Sequence, residues 1–264
     1  MKLAVLLSGR IKQYEQFLHL LQRTGNKYEI HVFISVNDIY SDFYEKVQEL
    51  FGNYLKGFHC NEYKLPDNFT NIWYNYKNHT ATYNTLSALY NDTFCFNMAT
   101  KFADDNHFSY DVYLRFRSDI YVDNFPDFYT YDIDNSILFS VVPFCKFQLA
   151  ITNNPNGEVI NDRYHCYGDI KHNGKNVTSD IAFGNRSVMS IYCSCYDYIL
   201  KKNEEYNGNY FICFEFSTTT FLEDSGIEWH FFDYEYVYVD NRNEYQNHPS
   251  LSLFNFLTSI GKNL

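Results

Sequence analysis

The 264-residue sequence lacks the long apolar segments that would place it in a membrane or direct it across one. No stretch approaches the roughly 18 apolar residues of a transmembrane helix. The apolar run at the start, Leu3 to Leu7, is shorter than the core of about 7–15 residues that a signal peptide needs. We therefore expect a cytoplasmic protein without a transmembrane segment.

Basic residues are also scarce. The chain has 21 Lys and Arg against 32 Asp and Glu, which gives a formal net charge of −11. Because so acidic a chain repels phosphate backbones on average, nucleic acid is not an expected partner. Tryptophan occurs only twice, whereas the 26 Tyr and 25 Phe are expected mainly to fill the core.

The cysteines lack a metal-binding pattern. Cys193 and Cys195 form a C-x-C without the second cysteine or histidine pair of a zinc site. The seven cysteines are odd in number and scattered along the chain. We expect them to be buried free thiols in a reducing compartment.

Strand and helix patterns alternate from the start of the chain. Two apolar, β-branched runs, Lys2–Leu7 and Ile30–Val36, flank an amphipathic helix over Gln13–Gln22, which predicts a βαβ unit with parallel strands. Further helices are predicted over 41–55, 78–105, 188–200 and 211–222, and further strands over 109–123, 137–142, 179–183 and 229–239. The fold class is therefore α/β, with one domain over residues 1–264, a mostly parallel Rossmann-like sheet flanked by helices, and a mixed C-terminal half.

The predicted strand that ends in DVYLRFRSDIYVD carries an unusual set of polar residues. Its even-numbered positions are apolar apart from Ser118, and its odd-numbered positions, including Arg115, Arg117 and Asp119, can all form hydrogen bonds. Successive side chains of a strand point to opposite faces. Two interpretations follow: an amphipathic strand whose charges pair in solvent, or a strand that ends in an anion and metal site.

Polar clusters follow three of the predicted strands: Ser8-Gly9-Arg10, Asn37-Asp38 and the segment 117–123. In open α/β sheets ligands bind beyond the carboxyl ends of the strands, so we expect these clusters to meet at one edge. Gly9 would let a ligand approach the backbone, and Arg10 with Arg115 or Arg117 would hold a diphosphate.

A divalent cation at this edge would use Asp119, since Mg²⁺ and Mn²⁺ take one or two carboxylates together with phosphate oxygens. In an extended strand Asp123 would lie about 13 Å from Asp119, too far to share one ion unless the chain turns. Tyr121 occupies the position that would suit a second carboxylate. His230 is a distant candidate ligand, with an ordinary strand histidine as the alternative.

Five segments, in order, resemble a family of small GT-A-type glycosyltransferases found in large DNA viruses and in bacterial surface-polysaccharide clusters. They are LAVLLSGRIKQYEQ, EIHVFISVND, YDVYLRFRSDIYVD, TSDIAFGNRSVM and FEFSTTTFLEDSGIEWHFFDYEYV. The resemblance runs from Lys2 to about Tyr238. It implies a GT-A-like domain with a nucleotide-sugar-binding half over 1–123 and an acceptor half over 124–264.

The same resemblance implies transfer of a sugar from a nucleotide-diphosphate sugar to a glycan or glycoprotein acceptor, with Mn²⁺ or Mg²⁺, in host cytoplasm if the protein is viral. The implied donor-binding residues are Ser8, Gly9, Arg10, Asn37, Asp38, Arg115 and Arg117, with Asp119 as the metal acid. Tyr121 departs from the family pattern, where a second aspartate is common.

Asp180 matches the acid on the acceptor side and is the candidate base that deprotonates the acceptor hydroxyl, with Glu215 as the other candidate. An aspartate at a strand end that only makes turn hydrogen bonds is the alternative for Asp180. Two other functions also fit the sequence: a sugar nucleotidyltransferase, and a non-catalytic glycan-binding protein that keeps the fold.

Overall fold

The structure is a computed structural model of the whole chain. It describes residues 1–9, 14–37, 43–60, 62–69, 81–117, 120–122, 124–140, 148–149, 165–166, 177, 180–210, 212, 214–232 and 237–238. The helices in these ranges are α1 (Tyr14–Thr24), α2 (Phe43–Phe51), α3 (Ala81–Asp105), α4 (Arg186–Cys193), α5 (Cys195–Glu205) and α6 (Phe214–Ser225). The strands are β1 (Lys2–Ser8), β2 (Glu29–Val36), β3 (Leu55–Cys60), β4 (Val112–Phe116), β5 (Ile120–Tyr121), β6 (Ser136–Ser140), β7 (Gln148–Leu149), β8 (His165–Cys166), β9 (Ile181–Gly184), β10 (Glu228–Phe232) and β11 (Val237–Tyr238).

Seven of the strands form the central sheet, in the order β10-β6-β9-β4-β1-β2-β3. β1 pairs in parallel with β2 and β4, β2 with β3, and β10 with β6. β9 is antiparallel to both of its neighbours, β4 and β6. The predicted fold class is confirmed: an α/β protein with a mostly parallel sheet, flanked by helices, and a mixed C-terminal half.

The order of the strands reverses at β1. From β1 the chain adds β2 and then β3 on one side, and it returns through α3 to place β4 on the other side. In open α/β sheets this reversal opens a crevice beyond the carboxyl ends of the two strands that flank it. The fold therefore directs attention to the carboxyl ends of β1 and β4.

β4 is buried on both faces, and this corrects one of the two interpretations of its alternating pattern. Val112, Leu114 and Phe116 pack in the core that contains α1 and α2 residues. Tyr113 belongs to the opposite core, which contains α3 and α4 residues. The face with the polar residues thus packs against helices, and its charges do not pair in solvent.

Several predicted boundaries were wrong. The strand predicted over 229–239 is divided between β10 and β11, which belong to different sheets. The predicted strand over 109–123 ends at Phe116, and β5 pairs instead with β11 in a separate small sheet. The predicted helix over 41–55 ends at Phe51 and leads through a short 3₁₀ turn into β3. The sequence pattern did not predict β3. This edge strand has residues that are all half-buried, and its sequence lacks the continuous apolar run of β1 and β2. The helix predicted over 188–200 is divided between α4 and α5 at Ser194.

Gly184 permits the tight contact between β9 and α4. A Cβ placed on Gly184 would lie 2.3 Å from Val188 Cγ2, and valine is stiff at χ1. We expect Gly184→Ala to lower the free energy of unfolding by about 1–3 kcal/mol, as overpacked core variants do. Denaturant unfolding checks this, with Ser187→Ala on the exposed face of α4 as the control. Equal midpoints for the two variants would contradict the contact.

His31 makes the stability depend on pH. The pKa of this imidazole is lowered from 6.5 to about 4, chiefly by burial and also by the nearby Lys56 and Lys2, with Glu29 acting in the opposite direction. His31 Nδ1 lies 2.7 Å from the hydroxyl oxygen of Tyr110. As the pH falls below 6.5, the His31 imidazole therefore becomes protonated in the unfolded chain while it stays neutral in the folded chain.

The contribution of His31 to stability is expected to be complete above pH 6.5, to decrease by up to about 3 kcal/mol between pH 6.5 and 4, and to level off below that range. Since other groups also titrate there, the measurement is the difference in unfolding free energy between wild type and His31→Gln at pH 7 and at pH 4.5. A difference that does not change with pH would rule out this role for His31.

Candidate functional site at the carboxyl edge of the sheet

Polar residues from four strand ends meet at one edge of the sheet. The β1–β2 register pairs Ser8 with Ser35, and Asn37 follows the end of β2. Arg117 follows β4, and its backbone N–H donates to the carbonyl of Asp180, which precedes β9, at 3.0 Å. Because β9 is antiparallel, its first residues lie beside the last residues of β4. The residues that leave β1, β2 and β4 therefore share one edge with the residue that enters β9.

The turn after β1 leaves its backbone open. Gly9 has φ +83°, a left-handed conformation that side chains disfavour, and a Cβ placed there would meet no atom of the described residues within 4 Å. Its N–H donates to the carbonyl of Ser35 at 2.9 Å, which ties the turn to β2. Space beside a fixed backbone is what a bound phosphate requires at such a turn.

Among the arginines that the structure describes, Arg117 reaches this edge. Its side chain is 33% exposed, and its Nε lies 3.6 Å from Oδ1 of Asp180, whose side chain is 2% exposed. A partly exposed guanidinium beside a turn of open backbone can bind an anion through paired hydrogen bonds. Asp180 thus lies at the predicted edge, buried against Arg117.

Arg115 lies below the edge, where its side chain is only 3% exposed. Its Nε is 3.2 Å from Oδ1 of Asp92 on α3, and Asp92 is equally buried. Burial alone would lower the pKa of Arg115, but the adjacent Asp92 carboxylate gives a net increase, so the guanidinium stays charged. The structure does not support direct contact between Arg115 and a donor, because the side chain has almost no accessible surface.

Helix α3 supplies the residues that sequence reasoning missed. Asn91 accepts a hydrogen bond from Ser35 Oγ at 2.6 Å and donates to the side chain of Asn37. Asn37 in turn donates to Ser87 Oγ. Asp92 accepts from Ser8 Oγ as well as from Arg115. The available signal was a set of polar residues, Ser87, Asn91 and Asp92, at neighbouring turns of a helix otherwise expected to be buried.

Several predicted site residues lie outside the part of the chain that the structure describes. These are Arg10, Asp38, Asp119 and Asp123. Glu215 lies in the first turn of α6, and its side chain is also outside the described part. Their assignments stay predictions. Asn37 is described, but its side chain is engaged by α3 through hydrogen bonds to Ser87 and Asn91.

His230 does not lie at this edge, and because Asp119 is outside the described residues its role as a metal ligand stays a prediction. It occupies the middle of β10, the outer strand, four strand positions from β1 and thus about 19 Å away. Its side chain is exposed and pairs with Glu228 at 3.1 Å. Within the described ranges no three His, Cys, Asp or Glu residues are grouped as a metal site requires. The described residues therefore do not form the metal site that the resemblance implies.

The predicted burial of the cysteines is confirmed for three of those whose side chains the structure describes, and Cys60 departs from it. Cys95, Cys193 and Cys195 are buried free thiols, and Cys60 is half-buried. Burial raises the pKa of Cys193 well above its usual value, so the thiol stays protonated. Separately, none of the helices in the described ranges has the length and apolar character to cross a membrane.

No known family model matches the chain, and no curated protein is similar to it at a significant level. One solved structure with a similar backbone is the nucleoside-diphosphate-sugar pyrophosphorylase from Vibrio cholerae RC9. The two chains are 12% identical, with a TM-score of 0.45 and coverage of 90% of this chain and 95% of that chain. The fold assignment rests on the strand order and directions of this chain itself.

Proposed function

We propose that this protein is a glycosyltransferase that binds a nucleotide-diphosphate sugar at the carboxyl edge of β1, β2 and β4. The sugar would pass to a glycan or glycoprotein acceptor. One observation carries the proposal: the Gly9 turn and Arg117 directly follow β1 and β4, the two strands that flank the reversal of strand order. That is where open α/β sheets bind nucleotides.

The chemistry of sugar transfer gives each of these groups a task. The bond between the anomeric carbon and the diphosphate breaks, and negative charge builds up on the leaving diphosphate. Arg117 would stabilise that charge, with backbone at Gly9 providing close approach. The choice of glycosyl transfer over other nucleotide chemistry comes from the resemblance of the five sequence segments.

Asp180 is proposed as the base that takes the proton from the acceptor hydroxyl. Its support is its position at the same edge, where its Oδ1 lies 3.6 Å from Arg117 Nε. Because its side chain is only 2% exposed, the acceptor would reach it only once Arg117 has moved toward the diphosphate. A diphosphate bound to Arg117 would weaken the pairing of that arginine with Asp180. Donor binding would thereby free the Asp180 carboxylate to accept the proton of the acceptor hydroxyl.

Metal dependence is a separate proposal and depends on Asp119. The carboxylates described at the edge, Asp92 and Asp180, each pair with an arginine. No step of the mechanism above passes through a metal ion. Measurements with and without Mn²⁺ therefore test an independent part of the proposal.

A thermal-shift panel tests the function directly. The protein is heated with UDP- and GDP-sugars and with nucleoside triphosphates, each with and without manganese. Stabilisation by a nucleotide sugar, accompanied by its slow hydrolysis, supports glycosyl transfer. A preference for triphosphates would overturn it in favour of a nucleotidyltransferase, and no response to any nucleotide would overturn it in favour of a non-catalytic protein.

A further inference from the structure

Asp92 joins β1 and β4, the two strands that flank the reversal of strand order. It lies on α3, buried completely, and one carboxylate oxygen accepts from Ser8 Oγ on β1 and from Arg115 Nε on β4. Ser8 is the last residue of β1 and directly precedes the Gly9 turn. A single side chain therefore fixes the end of one flanking strand and the interior of the other.

The neighbouring residues on α3 do the same for β2. Asn91 and Ser87 bind the side chain of Asn37, and Asn91 also binds Ser35. Ser35 holds the Gly9 turn through its backbone carbonyl. One polar face of α3 thus contacts the ends of both β1 and β2.

This arrangement is costly for stability. Asp92 Oδ2 and Arg115 Nη1 are both buried without a hydrogen-bond partner among the described residues. Each unpaired buried polar atom opposes folding, and well-packed apolar residues often replace a buried ion pair at no loss of stability. Local costs of this kind are expected where a structure serves function.

We propose that Asp92 is a positioning residue of the donor site, which fixes the Ser8–Gly9 turn relative to β4. The inference rests on the proposed function only for the identity of the ligand. The positioning itself concerns the free protein, where the Gly9 N–H donates to the carbonyl oxygen of Ser35 with an N to O distance of 2.9 Å.

Ser8→Ala is the most selective test, because it removes the link to the turn and leaves the Asp92–Arg115 pair intact. The matched control is Thr93→Val, which removes another α3 hydroxyl, bonded to the carbonyl of Cys193 at 2.6 Å, without touching a strand end. Hydrogen exchange of the Gly9 amide is measured in the free proteins. Affinity is measured by calorimetry with the UDP- or GDP-sugar that most stabilises wild type.

Ser8→Ala should accelerate hydrogen exchange of the Gly9 amide by about tenfold and leave exchange in β2 and β4 unchanged. It should also lower the affinity for the nucleotide sugar by about tenfold. Thr93→Val should change neither quantity. Unchanged exchange at Gly9 in Ser8→Ala, or equal acceleration throughout the protein, would overturn the positioning role. Faster exchange at Gly9 in a protein whose wild type binds no nucleotide sugar would support the positioning of the turn and contradict the proposed function.

Discussion

Replacing Asp92 with alanine should lower the free energy of unfolding by about 3–5 kcal/mol, the usual cost of removing one partner from a buried ion pair. The side chain of Arg115 is 3% exposed, so its guanidinium would lose its counter-charge without gaining water. Unfolding in urea or guanidinium chloride, followed by circular dichroism, measures the change in the free energy of unfolding.

A double variant separates the unpaired charge from the lost volume. Asp92→Leu combined with Arg115→Met replaces the pair with apolar side chains and should recover most of the stability lost in the alanine variant. A cost below about 1 kcal/mol for Asp92→Ala would show that the carboxylate is not buried against Arg115. A double variant less stable than Asp92→Ala would contradict the charge argument.

Replacing Arg117 with alanine should weaken the binding of the nucleotide-diphosphate sugar by about 10–100-fold. A hydrogen bond to a charged group contributes about 1.5–3 kcal/mol to binding. Among the arginines that the structure describes, Arg117 has accessible surface at this edge. Arg117→Lys keeps a positive charge beside Asp180 but loses the planar fork, so its affinity should fall between those of wild type and Arg117→Ala.

Arg186 provides the matched control for this experiment. It pairs with Asp104 through two hydrogen bonds of 2.6 and 2.8 Å, and it is half-exposed at the start of α4. Because β9 runs antiparallel, the start of α4 lies at the opposite edge of the sheet from Arg117. Arg186→Gln should leave donor affinity unchanged in calorimetry. Equal losses in the Arg117 and Arg186 variants would show that general charge, and not this edge, controls binding.

Much of the fold was predictable because the buried parallel strands have a strong local signature. β1 and β2 read as continuous apolar runs, and the helix between them has a clear apolar face. β3 was missed because an edge strand with Lys56 and His59 lacks that signature. The end of β4 was missed because apolar residues continue to alternate after Phe116, although the chain there leaves the sheet.

The candidate site was predictable to the extent that it follows from topology. Parallel strands bring their carboxyl ends together, and Ser8, Asn37 and Arg117 accordingly share an edge. The burial of Arg115 was not predictable, because an alternating pattern does not reveal whether the polar face meets solvent or a helix. Its partner, Asp92, is distant in sequence and belongs to a helix that periodicity describes only as packed.

The most direct measurement is a crystal structure of the protein with the nucleotide sugar that gives the largest thermal shift. We expect the diphosphate to lie against the backbone of Gly9 with the guanidinium of Arg117 on its oxygens. Density for the nucleotide at any other place on the sheet, or a diphosphate without contact to either residue, would contradict the assignment of this edge as the donor site.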